Sequence, residues 1–179
     1  ITITAGSNLS DADIEKAGAE QKTDKLAQLY YQNAQLQNKM LTPILNNAQQ
    51  GLPFDTLAFC KRVDNIIASF NSSAEYNKKP NAKGKVKEDQ MISAFSKVGI
   101  QSMLTLYYNC GAFMDAMGKK QESVDYFQKF VDLPKTSPVF NETERDSVYK
   151  ANAKVYNTAR YNLALQNFLM KNWDKAIAC

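Results

Sequence analysis

The 179 residues are 44% hydrophobic and 22% charged, which supplies a packed core and excludes a disordered chain. Seven glycines and five prolines are too few for the frequent turns of a β-sandwich or barrel. A formal charge of +4, spread over interleaved lysines and acids, is too mild to capture nucleic acid. The absence of histidine removes both the commonest general base and the commonest zinc ligand.

The three cysteines, Cys60, Cys110 and Cys179, lie far apart and form no C-x-x-C knuckle or redox pair. Cys60 and Cys110 sit among apolar neighbours, where a thiol behaves as a small hydrophobe. No apolar run approaches the roughly 20 residues of a membrane span. The chain opens on Ile1 rather than Met. An N-terminal segment such as an export signal is therefore expected ahead of it.

In chain order, residues 1–10 read as an extension with little pattern. A cap at Ser10 or Asp11 opens a long amphipathic helix, with Leu26, Leu29, Tyr30, Asn33, Leu36, Gln37 and Met40 at helical spacing. It is expected to run to about Leu41, where Thr42-Pro43 marks a kink or a new short helix. Gln50-Gly51-Leu52-Pro53 breaks the chain, and a second helical series runs from Phe54 towards Tyr76. Residues 11–79 thus form a helical hairpin region, and 80–87 a lysine-rich loop; Lys78 to Lys87 holds five lysines in ten residues. A third helix carries Met91, Phe95, Val98, Met103, Leu106, Tyr107, Cys110 and Met114. Gly118-Lys119-Lys120 turns into a fourth, from Ser123 to Leu133, stopped by Pro134 and Pro138. Asn141 and Glu144 have capping-box spacing ahead of a fifth helix, which extends to Leu169. Trp173 begins another, so the expected fold is all-α with about six helices.

Residues 88–179 carry a repeat. With Leu104 as the first position, Tyr107, Cys110-Gly111 and Met114 lie on one helix, and Ser123 and Phe127 on the next, with Pro134 closing the unit. Gly111 and Ser123 are small enough for two helix backbones to approach, and Tyr107 and Phe127 fill the space beside them. Arg160, Leu163-Ala164, Trp173 and Ala176 form a second copy. Gly111 to Ser123 and Ala164 to Ala176 both span twelve residues, and Tyr108-Asn109 is echoed by Tyr161-Asn162. The second copy is incomplete at Cys179, which reads as a truncated array.

Together with Pro80 to Lys87 and Tyr126 to Pro134, these segments resemble tetratricopeptide-repeat proteins of the Bacteroidetes cell envelope. The resemblance covers about Ala74 to Ala178, and departs from the pattern at Cys110 and Arg160. It implies a superhelix of stacked antiparallel helix pairs, an exported chain of the periplasm or cell envelope, no catalytic residues, and a protein partner.

Other chemistry finds no support in the residues. Gly84-Lys85 is followed by Val86 where a P-loop needs Ser or Thr, and a Ser-His relay is excluded by composition. The reading is therefore non-catalytic, with no metal or cofactor. In the repeat register the first helices line a concave face. The candidate partner-binding residues are Tyr108, Asn109 and Asp115 on the first copy, and Tyr161, Asn162 and Phe168 on the second. Tyrosine gives broad contact at low entropic cost, and asparagine can bond a peptide backbone through both amide groups. A peptide or protein segment is the expected partner. The alternative is a glycan or small ligand stacked on the same aromatics.

Overall fold

A computed structural model describes residues 11–20 and 22–178. The extension 1–10, the cap expected at Ser10, and Cys179 lie outside the described residues. Among those described there is no strand, and eight helices follow one another: α1 (Asp11–Ala19), α2 (Thr23–Gln49), α3 (Thr56–Lys78), α4 (Gln90–Ala116), α5 (Lys120–Thr136), α6 (Glu142–Ala151), α7 (Ala153–Leu169) and α8 (Trp173–Ala178). No helix is long and apolar enough to cross a membrane.

The all-helical expectation stands, but the count of six is corrected to eight. The expected first helix is two, because the chain turns at Glu20 after Gly18, where Lys22 N–H reaches back to the Ala17 carbonyl at 3.0 Å. The expected fifth helix also divides, at Asn152. Its side-chain amide donates to the Val148 carbonyl at 2.9 Å, competing with the backbone pattern that would have carried the helix on. The prolines matter less than their sequence positions suggest. Pro43 lies inside α2, which continues to Gln49, and Pro134 lies inside the last turn of α5. A proline removes one helical hydrogen bond; where flanking turns are packed, that loss does not end the helix.

Contacts divide the chain into two compact units, Ile1–Gln101 and Ser102–Cys179, with the boundary inside α4. In the first unit α2 and α3 form an antiparallel pair, shown by side-chain bonds of falling partner number. Ser73 Oγ donates to the Ala27 carbonyl (2.8 Å), Asn33 Nδ2 to Ser69 Oγ (3.2 Å), and Arg62 to Gln37 Oε1 (2.7 Å). Ala27, Ala34 and Leu41, each seven residues from the next, are wholly buried on α2. Phe59, Val63, Ile66, Ile67, Phe70 and Ala74 give α3 its matching apolar stripe. The start of α3 is fixed by Asp55, whose carboxylate accepts from Ala58 N–H at 2.9 Å, and by the Phe54 ring packed on Phe59. Gly99 on α4 faces the Phe70 ring so closely that a Cβ there would overlap it.

The lysine-rich connector is built rather than featureless. Asn81 Oδ1 accepts from Lys83 and Lys85 N–H at 2.9 and 3.1 Å, and Gly84 supplies the left-handed φ of +71° that closes the turn. Asn77 at the end of α3 then grips the start of α4. Its amide donates to the Asp89 carbonyl and Ser93 Oγ, and accepts from Asp89 N–H, all within 2.9 Å.

In the second unit Ser123 Oγ donates to the Gly111 carbonyl at 2.9 Å, and a Cβ on Gly111 would stand 2.7 Å from the Phe127 ring. The two helix backbones therefore meet at these small residues. Beyond them Phe130 stacks on Tyr156 at a centroid distance of 4.4 Å, and Tyr149 meets Tyr156 edge-on at 4.7 Å. Cys60 in the first unit and Cys110 in the second are buried thiols outside any disulfide.

Candidate functional site

The six candidate residues fall into unlike environments within the second unit. Tyr108 is half-buried, its ring against Phe127 at 5.5 Å and Phe130 at 5.9 Å, so most of its surface belongs to the α4–α5 packing. Asn109 beside it is half-buried on α4. Asp115 is tied down: its Oδ1 accepts from Lys120 Nζ and from Gln166 Nε2, both at 2.7 Å, which links the end of α4 to α5 and α7. That carboxylate positions helices first, and any contact to a ligand would compete with two existing charge-assisted bonds.

Tyr161 and Phe168 present a different picture. They are 66% and 55% exposed, about two turns apart on α7, and Ile177 of α8 is 86% exposed. With Ala164, Leu165 and Ala176 they line a shallow cleft of about 300 Å³. Trp173 stands edge-on to Phe168 at 5.0 Å and stiffens the rim. Among the described residues no carboxylate, amine or thiol lines this cleft, so it offers grip on apolar groups rather than proton transfer. Asn162 is half-buried and adjoins it in sequence without lining it. The fold thus brings Tyr161 and Phe168 to one surface, while Tyr108, Asn109 and Asp115 lie apart from that cleft.

Arg160 explains the departure at the aromatic position of the second copy. It does not fill a buried slot, but is exposed and lines a cleft of about 540 Å³ together with Lys135 and Lys175. Asp125 is the lone carboxylate there among the described residues, and Gln121 already donates to it at 2.8 Å.

Sequence reasoning missed the largest of these cavities, an open groove of about 820 Å³ in the first unit. One face of α2 contributes Gln28, Tyr31, Gln32 and Gln35; the connector and the first turns of α4 contribute Glu88, Met91 and Phe95. The i, i+4, i+7 amides at 28, 32 and 35 were visible in the sequence. Their pairing with Phe95 was not, because it depends on Asn77 fastening the start of α4 to the end of α3.

Neither a family model, nor a curated protein, nor a solved structure matches the chain. The surfaces are therefore interpreted from their own chemistry. Among the described residues no cluster of three or more metal-ligating side chains occurs.

Proposed function

We propose that the chain is a non-catalytic scaffold of tetratricopeptide-type helix pairs, exported to the cell envelope, that holds a protein or peptide segment. The observation that carries this reading is the cleft formed by Tyr161, Leu165, Phe168 and Ile177. Large apolar side chains left exposed side by side on two packed helices are a typical docking surface. The repeat component rests on the Gly111–Ser123–Phe127 approach, and on Ala164 and Ala176 recurring at the same twelve-residue interval on α7 and α8.

The surroundings indicate the chemistry of the bound segment. Lys154, Arg160, Lys171 and Lys175 are set against Asp174 alone across α7 and α8. A segment carrying two or three apolar side chains flanked by acidic residues fits both the cleft and this charge.

The test is capture from a native envelope extract by the tagged chain, beside a Tyr161→Ala/Phe168→Ala variant. A protein held by the wild type and lost from the variant, with thermal midpoints alike and capture weakening as salt rises, is the expected result. The same set of proteins on both baits would refute the assignment of the cleft.

A further inference from the structure

The groove of the first unit lies outside the repeat and carries a chemistry of its own. Its floor is aromatic. The Tyr31 and Phe95 rings lie 6.4 Å apart, inclined by only 28°, and Phe95 is 48% exposed. This platform is set in advance: Tyr31 rests on Phe70 at 6.1 Å, and its hydroxyl accepts from Gln35 Nε2 at 2.7 Å. Behind Phe70, Gly99 leaves room for the ring, so the floor is supported by the packing of α3 against α4.

The wall is a row of primary amides. Gln28, Gln32 and Gln35 recur along one face of α2, a span of roughly 10 Å at 1.5 Å per residue. Gln28 and Gln32 are exposed, and neither bonds another described side chain. Each amide offers a donor pair and an acceptor, the same dual capacity that a sugar hydroxyl has.

The charge is close to balanced. Lys25 and Lys87 face Asp24, Glu88 and Asp89, which offset one another to within one unit. The carboxylates nearest α4 are already engaged. Asp89 Oδ1 caps the helix through Met91 N–H (2.8 Å) and Ile92 N–H (3.2 Å), and Glu88 accepts from Ser93 Oγ at 2.8 Å. A phosphate or nucleic-acid ligand would find no net attraction here.

We propose that this groove binds a neutral oligosaccharide, one ring stacking on the exposed Phe95, which Tyr31 backs, while its hydroxyls bond Gln28 and Gln32. A pyranose presents a C–H face to an aromatic ring and hydroxyls at its edge, and the groove supplies those two surfaces at right places: floor and wall. Its volume lies within the range of small-ligand sites. The site is independent of the α7–α8 cleft, so either assignment can fail alone.

The experiment is a glycan array probed with the purified 179-residue chain, followed by calorimetric titration of the best-bound neutral oligosaccharide. Wild type, Phe95→Ala and Gln28→Ala/Gln32→Ala would be compared, with thermal midpoints recorded for each. The glutamines are exposed on a helix surface, so their variant reports on binding even if Phe95→Ala loses stability. The expected result is binding that salt leaves unchanged and that falls by about tenfold or more in each variant. No bound neutral glycan overturns the proposal, as does binding that survives both variants. So does a displayed peptide that binds through Phe95, which would give the groove to a protein partner instead.

Discussion

Gly111 has no side chain, and Phe127 stands where one would project. Its carbonyl receives the Ser123 hydroxyl across the same contact, so a single position both admits the neighbouring helix and bonds to it. Gly111→Leu would force the Phe127 ring out of a wholly packed site. Overpacking of this kind costs roughly 1–3 kcal/mol, and thermal denaturation followed by circular dichroism should show a lower midpoint. An unchanged midpoint would mean that the two helices do not meet at this residue. The site residues divide by the same logic: Tyr108 has rings on it and Asp115 has donors on it, whereas Tyr161 and Phe168 are open.

Among the elements, α6 is a ten-residue helix that the sequence marks clearly at its start. Asn141 Oδ1 accepts from Glu144 N–H at 3.0 Å, and Glu144 Oε2 accepts from Asn141 N–H at 2.9 Å, a reciprocal capping box. The helix buries Val148 and little else, so local capping is a large part of what holds its first turn. Asn141→Ala should cost about 1 kcal/mol, with faster amide exchange confined to the first turn of α6. Loss of protection across α5 and α7 as well would show that the cap governs more than its own helix. The C-terminal end was less legible, because Asn152 serves one helix as its last cap and the next as its first.

For the molecule as a whole, pH is the simplest global probe. The chain lacks histidine, the side chain whose ordinary value falls between about 5 and 8. The displaced groups move away from neutrality. Lys22 beside Glu20 lowers that carboxyl, Glu75 beside Lys79 raises that amine, and burial raises the phenols of Tyr149 and, more strongly, Tyr156. Raised phenol values stabilise the fold fully below the unfolded value of about 10. That contribution is lost as pH climbs from there towards the folded value. The midpoint should therefore be nearly flat across neutral pH and fall in alkali. The Tyr156 hydroxyl is buried without a hydrogen-bond partner among the described residues. Tyr156→Phe should accordingly keep or raise the neutral midpoint while softening the alkaline fall. A variant that melts lower at neutral pH would show that the hydroxyl has a partner.

The helical class, the capping box at Asn141 and the close approach at Gly111 and Ser123 were legible in the sequence. Each depends on residues within one helix or on two helices joined by a short turn, where spacing alone sets which side chains meet. The break at Asn152 was hidden because apolar periodicity continues across it, and the one at Glu20 because good helix formers follow Gly18 with no proline to stop them. The passage of α2 through Pro43 was hidden because packing outweighs a local breaker. Which candidate residues stay open was decided only by tertiary structure: exposure of Tyr161 and coverage of Tyr108 depend on what packs beside each, although both occupy the same position in their copies. The groove at Tyr31 and Phe95 is the strongest case. Its two rings lie more than sixty residues apart in sequence, and they meet because Asn77 clasps the start of α4 and Gly99 lets α4 pack on Phe70.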